Sequence, residues 1–128
     1  MKKVALTYII DDDNIFVFVL KKILKRNENF DEVLDFKNGE EVLDLLSNKD
    51  NTFPNIILLD INMPVIDGWQ LLEEIEKLPN KEKLNVFIMS SSIDVNDIAK
   101  SKSFSTVKDF LSKPINNDKL NKLIESIS

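Results

Sequence analysis

Residues 56–68 read IILLDINMPVIDG, an apolar run that ends in an acidic residue and continues into a loop. The uninterrupted apolar residues 56–59 are typical of a strand buried on both faces, as in a parallel sheet covered by helices. Asp60 stands at the carboxyl end of this strand. Pro64 restricts the loop that follows, and Asp67-Gly68 predicts a turn into a helix. The stretch therefore predicts a strand–loop–helix unit with an aspartate at the tip of its strand.

Similar units precede and follow this one. Four further apolar segments predict strands at residues 5–10, 33–36, 86–89 and 110–111. Helical spacing of apolar residues appears between them, and the first such stripe comprises Phe16, Val19, Leu20, Ile23 and Leu24. Five strand–helix pairs imply a doubly wound α/β fold, a flavodoxin-like three-layer sandwich. Its parallel five-stranded sheet is expected to have the order 2-1-3-4-5.

Helix boundaries are marked less clearly than the strands. Gly39 is predicted to open the second helix, and Pro79-Asn80 to close the third, whose apolar stripe extends to Leu78. A fourth helix is predicted over residues 94–102. Because no linker, repeat or low-complexity tract interrupts the pattern, residues 1–128 are interpreted as one domain.

The composition excludes several kinds of chemistry. The chain has neither cysteine nor histidine, so thiol nucleophiles, imidazole bases and thiolate or imidazole metal sites are all excluded. The net charge of −5 argues against direct binding of nucleic acid. No apolar stretch approaches the roughly 18 residues that a membrane span needs, so no membrane insertion and a cytoplasmic location are expected. Chemistry must come from carboxylates, hydroxyls, lysines and a metal that prefers oxygen.

Polar residues follow four of the five predicted strands. Asp11-Asp12-Asp13 ends the first, Asp60 the third, Ser90 the fourth and Lys113 the fifth. In the expected strand order these strands are neighbours, and ligands bind beyond the carboxyl ends at the switch between strands 1 and 3. Clustered carboxylates without Cys or His favour Mg²⁺, Mn²⁺ or Ca²⁺. A carboxylate nucleophile, a metal, a lysine and a hydroxyl together suit phosphoryl transfer.

Each residue taken alone also has an ordinary structural interpretation. The three consecutive aspartates can form a polar turn with an N-cap for the first helix. An aspartate such as Asp60 at a strand end is often only a turn former. Ser90 alone suits a loop or cap, and Lys113 alone suits a solvated surface. The functional interpretation depends on all four positions falling at matching ends of adjacent strands.

The motifs resemble the receiver domain of two-component response regulators. They are residues 9–12 (IIDD), 58–64 (LLDINMP) with Asp67-Gly68, 88–91 (IMSS) and 110–114 (FLSKP). The spacing D-x-x-M-P-x-x-D-G, with a later serine and a Lys-Pro pair, is the most specific part. The likeness extends from the first strand to the last helix.

The resemblance implies a set of metal and phosphorylation residues. Asp60 is expected to be phosphorylated by a histidine kinase or a histidine phosphotransfer protein. Asp12 and Asp60 are expected to ligate Mg²⁺ directly, Asp11 through water, and Asn62 through its backbone carbonyl; Mn²⁺ is expected to substitute.

The resemblance also implies a switch. Lys113 is expected to pair with Asp60 and then with the phosphoryl oxygens, while Ser90 moves to hydrogen-bond the phosphoryl group. Phe110 follows as the aromatic switch, and the Lys113–Pro114 bond is expected to be cis. Output to an unidentified protein partner is expected through helix 4, strand 5 and helix 5 of a stand-alone domain. Whether phosphorylation drives dimerisation is left open.

Two alternatives share parts of the pattern. A small Mg²⁺-dependent phosphatase of the haloacid dehalogenase type would use Asp11 as nucleophile, with Asp13, Ser90 and Lys113 as helpers. That class is usually longer, and the motif from Asp60 to Gly68 would go unexplained. A flavodoxin-type FMN carrier has the same topology, but three aspartates after the first strand would repel the flavin phosphate.

Overall fold

The computed structural model describes residues 4–48, 50–63 and 67–127. These residues form one parallel sheet with the strand order β2-β1-β3-β4-β5, as predicted. The strands and helices alternate along the chain as β1 (Val4–Ile10), α1 (Asn14–Arg26), β2 (Phe30–Phe36), α2 (Gly39–Ser47), β3 (Ile56–Asp60), α3 (Gly68–Ile75), β4 (Val86–Ser90), α4 (Val95–Ser101), β5 (Val107–Ser112) and α5 (Asn117–Ile127). A short 3-10 turn, Lys81–Lys83, precedes β4.

Two apolar cores lie on opposite faces of the sheet. One face packs against α2 and α3 and contains Tyr8, Leu59 and Ile88. The other packs against α1 and α5 and contains Ile9 and Leu58. Every residue of β3 and β4 is buried, as expected for central strands that helices cover on both sides. The result is the predicted three-layer sandwich.

Side-chain caps fix where four of the helices begin. Asp13 caps α1, Asn38 caps α2, Asp67 caps α3 and Asp94 caps α4, each by accepting backbone N–H bonds. Asp67 forms a reciprocal capping box with Gln70. Gly39 opens α2 and residues 94–102 contain α4, as predicted.

Three details of the predicted elements were wrong. Strands β2 and β5 begin three residues earlier than their apolar runs, because they are the sheet edges and carry exposed polar residues. Helix α3 ends at Ile75, so Leu78 lies beyond it. On α1 the buried residues are Val17, Leu20 and Leu24, whereas Val19 is 50% exposed. Residues 15–20 of α1 are all apolar, so spacing alone could not identify the buried face.

Two further expectations concern the loop after Asp60 and a membrane span. Pro64, predicted to restrict the loop after Asp60, lies outside the described residues. Among the residues that are described, no helix combines the length and the apolar character needed to cross a membrane.

Candidate functional site

Carboxylates from two neighbouring strands meet at the carboxyl edge of the sheet. Ile10 of β1 is in register with Leu59 of β3, so the residues that follow them, Asp11 and Asp60, lie side by side. Oxygens of Asp11, Asp12 and Asp60 all lie within 4.8 Å of one another. Asp11 and Asp60 are buried, and Asp12 is exposed. Asp13 does not belong to this group, because its carboxylate accepts the N–H groups of α1.

Lys113 supplies the opposite charge from the far edge of the site. Its Nζ lies 2.7 Å from Oδ2 of Asp11 and 3.8 Å from Oδ2 of Asp60. The same ammonium lies 4.2 Å from the ring centroid of Phe16, within cation–π range. The backbone N–H of Lys113 donates to the carbonyl of Ser90 at 2.8 Å, and the Lys113–Pro114 peptide bond is cis, as expected.

Asp60 is held in an environment that disfavours its charge. The net effect of its surroundings raises the pKa of Asp60 to about 6: burial is the largest cause and the carboxylates of Asp11 and Asp12 add to it, while a hydrogen bond and Lys113 act in the lowering direction. That bond comes from the backbone N–H of Asn62, which donates to Oδ1 of Asp60 at 3.1 Å. A cation placed among the three carboxylates would relieve this repulsion.

The two predicted switch residues are placed differently. Ser90 is buried, and its hydroxyl donates to the carbonyl of Ser92 at 2.6 Å while accepting the Ser92 N–H at 3.2 Å. Its hydroxyl is therefore engaged with its own loop. Phe110 is half-buried on β5, beside Ile88 of β4. It lines a cavity of about 100 Å³ together with Ile98 of α4.

Gly68 explains why the loop after Asp60 returns so tightly to α3. A Cβ at this position would lie 2.6 Å from the Cα of Ile61 and 2.9 Å from the carbonyl oxygen of Asp60. Only glycine permits this approach of the helix N-terminus to the strand tip. The Gly68 N–H donates to the carbonyl of Ile61 at 3.2 Å. Asp67-Gly68 thus forms the turn into α3, as the sequence predicted.

Two contacts at the site were not anticipated from the sequence. Lys113 was expected to pair with Asp60, yet its shorter contact is to Asp11. The aromatic ring over Lys113 belongs to Phe16, which was assigned only to the core stripe of α1. Both contacts join residues about 100 positions apart, so only the three-dimensional arrangement of the strand ends and of α1 could indicate them.

The three carboxylates can chemically hold a hard divalent cation. All of their donor atoms are oxygens, and the chain has no histidine or cysteine to favour zinc. The exposed Asp12 leaves the group open to solvent, which suits a metal that keeps water in its coordination shell.

Comparison with known proteins identifies the family. The family described as response regulator receiver domain matches residues 7–125. The chain belongs to that family. It is 33% identical over 121 residues to the DNA-binding transcriptional regulator NtrC of Escherichia coli K12, covering 94% of this chain. The aligned region is only 24% of the length of NtrC.

Solved structures agree with the assignment. A two-component response regulator from Cytophaga hutchinsonii has a TM-score of 0.87 and 30% identity, and the match covers 98% of each chain. The Mn²⁺-bound form of the response regulator Rcp1 has a TM-score of 0.75 and 25% identity, covering 95% of this receiver domain and 90% of that chain. The phosphatase alternative is not favoured by these matches. Asp13, which that alternative needs at the site, is occupied in capping α1.

Proposed function

We propose that this receiver domain accepts a phosphoryl group on Asp60 from the phosphohistidine of a histidine kinase or a histidine phosphotransfer protein. The observation that carries the proposal is the convergence of Asp11, Asp12 and Asp60 within 4.8 Å, with the Lys113 ammonium beside them. Asp60 lies at the tip of the central strand β3 and is buried. Unlike Asp11, it has no short ion pair with Lys113.

The transfer is a substitution at phosphorus. A carboxylate oxygen of Asp60 forms the new P–O bond as the P–N bond to the donor imidazole breaks, and the imidazole nitrogen keeps the electron pair. Charge accumulates on the phosphoryl oxygens, where positioned cations contribute most. The Lys113 ammonium, 3.8 Å from Asp60, is placed to stabilise those oxygens. Asn62 orients the acceptor through its N–H bond to Oδ1.

A divalent cation belongs to the proposed site. Asp12 and Asp60 would hold Mg²⁺ directly, Asp11 through water and Asn62 through its backbone carbonyl, with Mn²⁺ as a substitute. When bound, the metal would neutralise the carboxylates and supply positive charge that stabilises the transferring phosphoryl group. The all-oxygen donor set and the raised pKa of Asp60 support this assignment, and so does the Mn²⁺ bound by the related Rcp1.

The switch is proposed to run through Ser90 and Phe110. A phosphoryl oxygen would compete with the Ser92 carbonyl for the Ser90 hydroxyl and draw Ser90 toward Asp60. Phe110, half-buried beside a cavity of about 100 Å³, has room to follow. The surface of α4, β5 and α5 would then change its preference for a protein partner by population shift. A cytoplasmic location and no direct contact with DNA are part of the same proposal.

Labelling with radioactive acetyl phosphate and Mg²⁺ tests the acceptor. The wild-type chain should take label, Asp60→Asn should lose it to background, and Asp11→Asn should label more slowly. Loss of label in Asp11→Asn with full labelling of Asp60→Asn would instead establish the phosphatase alternative. Chelation of the metal should suppress labelling of the wild type.

The phosphodonor is proposed to dock on an apolar patch of α1 next to the site. Ile15, Phe18 and Val19 are 78%, 60% and 50% exposed, and they lie in the first two turns of α1, which begins immediately after Asp13. Contiguous exposed apolar residues are typical of protein contact sites. The Nζ of Lys22 lies 4.5 Å from the ring centroid of Phe18 and extends the patch with positive charge.

Comparison of the phosphorylation rates from a protein donor and from a small-molecule donor tests the patch. Phe18→Ser should slow transfer from a phosphorylated histidine phosphotransfer protein about tenfold, as expected for an interface residue worth over 1 kcal/mol, while labelling by acetyl phosphate stays unchanged. The control is Leu34→Ser, a 39% exposed apolar residue of β2 outside the patch. Equal transfer rates for Phe18→Ser and Leu34→Ser would exclude the patch as the docking site.

A further inference from the structure

Lys119 makes a set of contacts that no step above uses. Its Nζ donates to the carbonyl of Ser112 at 2.6 Å, to the hydroxyl of Ser112 at 3.1 Å and to the carbonyl of Pro114 at 2.9 Å. An ammonium has three hydrogens, so these acceptors use its full donor capacity. The side chain is partly buried and is therefore not an ordinary solvated lysine.

Its place in the helix makes the arrangement costly unless the contacts compensate. Lys119 is the third residue of α5, in the turn where the helix dipole favours negative charge. A cation there is unfavourable, and fixing the long side chain costs further rotamer entropy. The carbonyls of Ser112 and Pro114 offset both terms. The contacts therefore tie the start of α5 to the segment from Ser112 to Pro114.

The segment that Lys119 holds contains Lys113. The two carbonyls it binds lie on either side of Lys113, and the backbone N–H of Lys113 is bound to Ser90 of β4 at 2.8 Å. The backbone that carries the active-site ammonium is thus fixed from β4 and from α5 at once. The side chain then reaches Asp11 at 2.7 Å and Asp60 at 3.8 Å.

We propose that Lys119 is a positioning residue for phosphoryl transfer, acting through Lys113. It fixes the backbone from Ser112 to Pro114. The Lys113 ammonium therefore stays between Asp11 and the place where the phosphoryl oxygens will lie. This inference rests on the function proposed for Asp60. Displacement of a catalytic group by about 1 Å can cost up to 10²-fold in rate, so a small shift of this segment is enough to matter.

The test compares Lys119→Met with Lys122→Met in the full chain. Methionine keeps a long apolar stem and removes the donors, and Lys122 is an exposed lysine of the same helix. Lys119→Met should slow labelling by acetyl phosphate about tenfold at saturating Mg²⁺, whereas Lys122→Met labels as the wild type does. Lys119→Arg, which can still donate to two carbonyls, should recover most of the rate.

Affinity for Mg²⁺ alone, measured by calorimetry, separates positioning from general damage. A loosened Lys113 competes less well for Asp11, so Lys119→Met should bind Mg²⁺ as tightly as the wild type or more tightly. A labelling rate equal to that of Lys122→Met would overturn the inference, and so would a fall in Mg²⁺ affinity that matches the loss of rate. A wild type that takes no label defeats the proposed function itself, a different result from a labelled wild type with an unimpaired Lys119→Met.

Discussion

Two carboxylates of this receiver domain, Asp60 and Glu76, are held in opposite ways. Asp60, at the tip of β3, receives one backbone N–H and lies among other acids, and burial raises its pKa to about 6. Glu76 follows α3 and faces the loop before β5. Burial alone would raise its pKa too, but hydrogen bonds from Ser105 and from the Thr106 N–H, among others, lower it to about 2.

The difference lies in the donors that surround each group. Glu76 accepts the hydroxyl of Ser105 at 2.8 Å, the Ser105 N–H at 3.2 Å and the Thr106 N–H at 3.1 Å, and Lys81 lies 3.4 Å away. These fixed donors bind the ionised form of Glu76 more strongly than the protonated form, and all of them come from the protein itself, so the contact is structural. Asp60 lacks such a set, and its charge is left for a ligand to neutralise. Of the two perturbed carboxylates, Asp60 is therefore the better candidate for a functional group.

Glu76→Ala should give the larger of the two stability effects. It leaves the N–H groups of Ser105 and Thr106 without their acceptor, and the loss is expected to be about 2 to 3 kcal/mol at pH 7. The stabilisation is present above the ordinary pKa of 4.5 and is lost as the pH falls toward 2, because protonation removes the ionised acceptor. Urea denaturation of both proteins at pH 7 and pH 3 measures it.

The matched control is Glu74→Ala, in the last turn of α3 and two residues before Glu76. Glu74 is half-exposed and pairs with Lys77 three residues on, so its loss should change stability by no more than about 0.5 kcal/mol. If Glu76→Ala were as stable as Glu74→Ala at pH 7, the structural role assigned to Glu76 would be wrong.

Asp60→Asn should give a smaller effect of opposite sign. Because burial raises the pKa of Asp60, its contribution to stability is present below pH 3.8 and is lost as the pH rises through about 6. The variant should therefore be more stable than the wild type at pH 7.5 without metal, by about 1 to 2 kcal/mol. This gain in stability is smaller than the full pKa shift of Asp60 would imply, because solvent partly screens the charge of its carboxylate.

The effect of Mg²⁺ on stability gives a second test of the charge repulsion at Asp60. Saturating Mg²⁺ should stabilise the wild type more than Asp60→Asn and so reduce the difference, since the ion binds the native carboxylates. Asp44→Asn, an exposed aspartate of α2, serves as the control and should show neither effect. A wild type more stable than Asp60→Asn in metal-free buffer at pH 7.5 would contradict the charge repulsion inferred at this site.

The central strands and the candidate site residues were predictable for the same reason. Strands β3 and β4 are buried on both faces, so their apolar runs are continuous, and each run ends in a polar residue at the carboxyl edge of the sheet. That boundary falls at Asp60 and Ser90 and identifies the edge of the sheet that binds ligands. The edge strands were truncated in the prediction because one side of each is open to water, which removes the apolar signal.

The sequence by itself determined the topology and which residue types end adjacent strands, because burial periodicity and turn chemistry are local properties of the chain. Only the tertiary structure decided which face of α1 is buried, that Lys113 lies closer to Asp11 than to Asp60, and that Lys119 holds the segment around Lys113. Side-chain direction depends on how helices pack against the sheet. An apolar helix such as α1 and a flexible lysine each have several acceptable local arrangements, and only contacts between elements select one of them.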